Sequence, residues 1–200
     1  MIQFTEDIIL ENERVLLRPI ALHDVNNLLP FALNETDIWK FSLVSPAGAS
    51  GMKAYIQHAV DNRIIQKDYT FIVYDKLSRS YAGSTRFYNI DAAAKSLMLG
   101  YTWYGKSYQR TGLNRNCKFL LLKYCFEILL AERVEFRADA DNLKSKAAML
   151  AIGCVPEGLL RSDGVKPDGT RRNSIVLSIL KKEWENTVKD KLTQMISTPF

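Results

Sequence analysis

At 200 residues and 22.8 kDa the chain is long for one domain yet shorter than the length at which cores split, so a single domain over residues 1–200 is expected. Its 47% apolar and 24% charged residues are those of an ordinary globular protein, which excludes disorder, collagen and coiled coil. The net charge of +5 is concentrated: Lys106, Arg110, Arg115, Lys118 and Lys123 lie in one stretch without an acidic residue and hold the whole excess, which fits a compact anion better than a nucleic-acid duplex. No apolar run approaches the ~18 residues of a bilayer span, and the acidic start is unlike a signal peptide, so a cytoplasmic protein with no membrane or nucleic-acid partner is expected. Cys117, Cys125 and Cys154 form no CxxC pair and read as core residues. With His23 and His58 as the two histidines, no metal site is expected.

In chain order, residues 14–19 read as a strand stopped by Pro19, and residues 22–33 as a helix through Val25, Leu28, Leu29 and Ala32. A second helix runs from Met52 through Tyr55, Ile56, Ala59 and Val60, with His58 off its stripe. Residues 69–75, 81–90 and 97–104 are rich in aromatic and β-branched side chains and closely spaced, which predicts three antiparallel strands. The stripe Leu113, Cys117, Leu120, Leu121, Tyr124, Cys125, Ile128, Leu129 marks an amphipathic helix of about four turns. Residues 133–139 read as a strand and 142–152 as a helix that stops at Gly153. Two last strands flank the turn 166–170, which carries Pro167 and Gly169, and a terminal helix puts Trp184, Val188 and Leu192 on one face. The pattern is α+β around a single mixed sheet.

The stretch Gly105-Lys106-Ser107-Tyr108-Gln109-Arg110-Thr111-Gly112-Leu113-Asn114 joins the third of those strands to the basic helix. The first N–H groups of a helix lack internal partners and carry about half a positive charge, so such an end binds phosphate. Gly112 lets backbone approach a ligand, and Arg110 and Arg115 add the charge that a polyphosphate demands. Neither a Walker loop nor a GxGxxG fingerprint is present.

This segment resembles motif A of the GNAT superfamily of acyl-CoA-dependent N-acyltransferases, Gln/Arg-x-x-Gly-x-Gly/Ala, through Gln109 and Gly112, with Asn114 departing in the last place. The element order is similar, and Asn142-Leu143-Lys144-Ser145 with Ile152-Gly153 resembles motif B. Leu17-Arg18-Pro19 and Glu157-Gly158-Leu159-Leu160-Arg161 resemble the RimJ/RimL-like branch. The resemblance implies a GNAT-like α+β fold, a single mixed and mostly antiparallel sheet with helices on both faces. It also implies an N-acetyltransferase that moves acetyl from its cosubstrate acetyl-CoA to a primary amine by direct attack.

By the same resemblance, Gln109, Arg110, Thr111, Gly112, Leu113 and Asn114 form the loop that holds the CoA pyrophosphate. Trp103 and Tyr104 would hold the pantetheine arm through their backbone, or Thr102 and Trp103 if the alignment slips by one, and Asn142 would bind it from the facing helix. Ser145 is the candidate proton donor to the leaving thiolate, because Met149 stands where many relatives have a tyrosine. Met98 stands where many have a glutamate base, and Glu135 is either its replacement or part of an outer strand face. Gly100 suits a bulge, Asn142 is equally a helix cap, and Ser145 equally a packing serine. The acceptor stays open between a protein N-terminal α-amine and a small amine such as a polyamine or aminoglycoside. A non-catalytic acyl-CoA-binding sensor or scaffold and a homodimer stay open with it.

Overall fold

Runs of β-branched and aromatic residues at sheet spacing, broken by short polar turns, give strands β1 (Leu10–Glu11), β2 (Val15–Pro19), β3 (Tyr69–Asp75), β4 (Ser80–Asp91), β5 (Ser96–Tyr104), β6 (Arg133–Asp139), β7 (Val155–Val165) and β8 (Arg171–Leu180). The computed structural model describes residues 2–166 and 168–197. All eight strands join one sheet in the order β1-β2-β3-β4-β5-β6-β8-β7. Every neighbouring pair is antiparallel except β5 with β6.

Helices α1 (Val25–Asn34) and α2 (Gly48–Ile64) cover one face, where Leu28, Phe31, Met52, Tyr55 and Ile56 pack with Ile72 and Trp103. Helices α3 (Leu113–Lys123) and α4 (Leu143–Ala151) cover the other, where Leu113, Cys117, Leu121 and Met149 meet Leu17, Phe71, Leu99, Val134 and Leu177. A C-terminal helical segment, Lys181–Glu183, a π-turn at Trp184–Val188, and Lys189–Ser197, joins that second core through Trp184, Val188 and Leu192, the face its spacing predicted. Each large apolar side chain so buried stabilises the fold by about 1.5–3 kcal/mol. Helices thus lie on both faces of a mixed, mostly antiparallel sheet, as the resemblance implied.

The departures are local. The first predicted helix opens as a 3-10 turn, Leu22–Asp24, because the Asp24 carboxylate folds back to accept from Ala21 N (2.9 Å) and Arg18 (2.6 and 2.8 Å). The long stripe predicted from Leu113 is α3 followed by a π-turn, Tyr124–Ile128, which inserts a wider turn and still buries Cys125 and Phe126. The acidic leader contains β1, paired Leu10↔Leu17. All three cysteines are buried and unpaired. The predicted turn 166–170 joins β7 to β8, with Pro167 itself outside the described residues. Among the described residues no helix is long and apolar enough to cross a membrane.

Candidate active site

Strands β5 and β6 pair at Ser96↔Arg133, Leu97↔Val134 and Met98↔Glu135, and beyond that register they part. Strand β5 meanwhile stays on β4, with Arg86↔Gly100 and then Ser84↔Trp103, so one extra residue sits on β5. Thr85 and Thr102 remain opposite each other, hydroxyl to hydroxyl at 2.7 Å, which leaves Tyr101 as the bulged residue, at φ +49°. The bulge expected at Gly100 therefore falls on its neighbour. Gly100 serves a different need: a Cβ there would lie 3.0 Å from Tyr88 Cε1 and 3.2 Å from its hydroxyl. The Tyr88 ring lies over that bare backbone and meets Tyr101 edge-on at 5.0 Å.

After the bulge the strand alternates. Gly105 N donates to Ala82 O on β4 (3.0 Å), so Trp103 shares that orientation and Tyr104 turns its N–H and C=O away from β4, toward the gap. The Tyr104 carbonyl there accepts from Gln109 Nε2 at 3.0 Å. The side chains do the opposite of reaching out. Trp103 is buried edge-on among Phe31, Trp39 and Tyr55, its indole N–H 3.4 Å from Tyr55 Oη, and Tyr104 is buried on the α3 side.

Helix α3 opens at the mouth of this gap. Gly112, its N-cap, has φ +82°, and Arg110 has φ +60°, two left-handed bends that turn the loop sharply into the helix. The loop is pinned by Thr111 Oγ1 to Tyr108 O (2.8 Å), by Gln109, and by the fully buried Leu113. Arg115 N and Asn116 N both turn back to Gly112 O (3.1 and 3.3 Å), so the donors of the preceding residues aim out of the helix end. The basic stretch is not one patch. Lys106 pairs with Asp37 (2.8 Å), a residue of the 3-10 turn Thr36–Trp39, Lys118 is buried and Lys123 ends α3, while Arg110 lies in the loop and Arg115 in the first turn of α3.

On the far side Asn142 Oδ1 accepts from Ser145 N at 3.0 Å, so it caps α4 through its oxygen while its amide nitrogen keeps two donors. Ser145 is half-buried one turn in, and Met149 is buried beneath the helix. Glu135 is held by Arg133 and Arg137, both at 2.8 Å, as an outer strand face would have it. The structure thus brings Tyr104 and the loop 109–114 together around one gap, while Trp103 turns its peptide groups to β4 and its ring into the α1–α2 core. Tyr88 and Tyr101 join them without having been singled out in the sequence, and Lys118, counted there only as one charge of the basic stretch, joins them as a buried side chain. Among the described residues no group of three His, Cys, Asp or Glu could hold a metal ion.

An outward ring of backbone donors with two arginines suits a pyrophosphate, and a strand edge with its peptide groups turned to a gap suits an amide-bearing arm. Residues 14–155 match the family model described as Acetyltransferase (GNAT) domain, and the chain belongs to the GNAT acetyltransferase family. It is an acyl-CoA-dependent acetyltransferase with acetyl-CoA as cosubstrate. YdaF of Bacillus subtilis (strain 168), provisionally named a ribosomal N-acetyltransferase, is 28% identical over 87% of this chain and 95% of its own. A GCN5-related N-acetyltransferase from Brucella melitensis shares the fold, at TM-score 0.87 and 23% identity over 95% of this chain and 86% of that one. So does the microcin C7 self-immunity acetyltransferase MccE, solved with acetyl-CoA and AMP, at TM-score 0.75 and 22% identity over 84% and 93%.

Proposed function

We propose that the chain, working as one domain, transfers acetyl from acetyl-CoA to a primary amine, with a protein N-terminal α-amine as acceptor. The observation that carries this is the parting of β5 from β6 at Met98↔Glu135, directly behind the outward-facing end of α3. In this reading the backbone of residues 110–114 holds the pyrophosphate, with Arg110 and Arg115 adding charge. Tyr104, followed by Trp103 in the wall behind it, lines the pantetheine arm, Gln109 fixes the strand end, and the free amide nitrogen of Asn142 reaches the arm from α4. The amine attacks the thioester directly, so the protein's work is alignment, with backbone N–H groups facing the gap polarising the carbonyl. Ser145 hydrogen-bonds the departing sulfur. The acceptor enters over Tyr88 and Tyr101, because α3 and α4 close the other face.

Two observations favour an α-amine. Glu135, engaged by two arginines, is poorly placed to take a proton from a strongly basic acceptor. At pH 7 an α-amine of pKa about 7.7–8.0 is roughly one-tenth neutral, whereas a lysine near 10.4 is neutral in about one molecule per few thousand. The name of the Bacillus subtilis relative, a ribosomal N-acetyltransferase, favours a protein over a small amine as acceptor. Thiol release from acetyl-CoA against peptides, polyamines and aminoglycosides tests the acceptor class. Mass spectrometry of paired peptides, one with a free N-terminus and blocked lysine and the other reversed, then decides between amines. Faster acetylation of the free-terminus peptide is expected; faster lysine modification, or turnover confined to small amines, overturns the choice.

A further inference from the structure

Lys118 is a buried cation in α3, 5% exposed. Its Nζ donates to Thr102 Oγ1 at 2.9 Å, and that hydroxyl is hydrogen-bonded to Thr85. Thr102 follows the bulged Tyr101, so the ammonium lies beneath the point where β5 and β6 have just separated. From the β6 side the Phe136 ring faces it, 5.8 Å from Nζ to centroid. The titratable groups around it are the thiols of Cys117 on its own helix, Cys125 in the turn that follows and Cys154 ahead of β7. Burial pushes these up, Cys117 to about 11, Cys154 to about 12 and Cys125 further, so they are neutral. Among the described residues no carboxylate pairs with Lys118. Burial accordingly pushes the ammonium down, to about 8. An apolar residue would fit such a site more cheaply, and of the three Nζ donors Thr102 takes one.

We propose that Lys118 serves the CoA sulfur: its ammonium, held under the bulge by Thr102, pairs with the thiolate as it leaves and holds it as the anion. This rests on the reading that the pantetheine arm runs between β5 and β6. The acceptor nitrogen's lone pair forms the bond to the acetyl carbon, and the C–S bond breaks with its electron pair going to sulfur. The ammonium keeps its proton; the acceptor nitrogen sheds one to solvent, and the thiolate takes one from solvent as CoA is released. Ser145 does not replace it. A neutral hydroxyl donates a hydrogen bond to the sulfur but brings no net charge, whereas the buried ammonium sets a full positive charge against the thiolate.

The test titrates bound CoA by thiolate absorbance at 240 nm between pH 6 and 10, taken as the difference from the desulfo-CoA complex so that tyrosine ionisation cancels. The same difference cancels the protein's own thiols, which burial pushes up. In the parent the bound thiol is expected to titrate at least one pH unit below its ordinary value of about 8.5. Lys118→Arg should keep that shift, Lys118→Met should return the thiol to 8.5 or above, and Thr102→Val, which keeps the lysine but frees its head, should fall between. Desulfo-CoA affinity by calorimetry should be the same in all four proteins. A thiol that titrates alike in the parent and Lys118→Met overturns the assignment; if Lys118→Met does not fold, a parent-like value in Thr102→Val does so. Failure of desulfo-CoA to bind the parent removes the CoA site itself, and the role of Lys118 with it.

Discussion

Strand β5 has two neighbours and holds them differently. With β4 it keeps an antiparallel ladder from Asp91↔Ser96 to Gly83↔Tyr104, shifted between Tyr88 and Asp91 and again at Tyr101, and the closed side is backed by Trp103 locked among Phe31, Trp39 and Tyr55. With β6 it keeps a short parallel register and then lets go. Buried peptide groups need partners, so the closed side fixes where β5 runs, and the open side presents Tyr104's backbone to whatever enters. The lesson is that rigidity and reactivity sit on opposite edges of a single strand.

The largest expected effect is on the closed edge. Trp103→Ala removes an aromatic that three rings enclose and should destabilise the fold by about 3–5 kcal/mol in denaturant melts. A loss under about 1 kcal/mol would show that something other than this cluster fixes β5. On the open edge, Gly112→Val forces a β-branched residue to φ +82°. A strain of about 1–3 kcal/mol should weaken acetyl-CoA binding by about 10- to 100-fold in calorimetry, with the far-ultraviolet circular dichroism unchanged. Parent-like affinity in a folded variant contradicts the helix-end site. Ser145→Ala should lower kcat by about 10-fold or somewhat more while the acetyl-CoA KM stays put. A parent-like kcat confines Ser145 to the helix.

The smallest effect asks whether the far wall, β6–β8–β7, stands independently of β5. Arg133 of β6 grips the Glu157 carboxylate, which Ser178 Oγ also approaches at 2.5 Å, and these bonds push Glu157 down to about 2. A carboxyl lowered in the folded state adds stability above its unfolded value of about 4.3, and that stability is lost as pH falls through about 2. The Glu157 side chain is 38% exposed, so screening holds the pair to about 0.2–1 kcal/mol. Glu157→Gln should therefore lower Tm by no more than about 4 °C at pH 7, with the difference shrinking between pH 5 and pH 2. A constant difference across that range excludes the ion pair as its source.

Much of this frame was legible in the sequence. Strands β3 and β6 begin and end where their aromatic and β-branched runs do, at residues 69–75 and 133–139. What was not legible depends on contacts between distant segments. Gly100 drew the bulge because glycine commonly marks one, yet its backbone is bare to admit Tyr88 from β4, and the bulge moves to Tyr101. Lys106 looked available for phosphate until Asp37, remote in sequence, reached it. Lys118 left a usable signal, since 118, 121, 122 and 125 share one helical face, but lysine's strong surface preference outweighed the spacing.

Hydrogen exchange of the chain with and without saturating acetyl-CoA tests most directly whether the open edge of β5 is where the cosubstrate lies. Protection is expected in the segment that runs from Trp103 and Tyr104 through residues 110–116, while the amides that β3 and β4 share stay as they were. Protection centred instead on the cleft lined by Arg18, His23, Arg63 and Tyr81, with residues 103–116 unchanged, would contradict it.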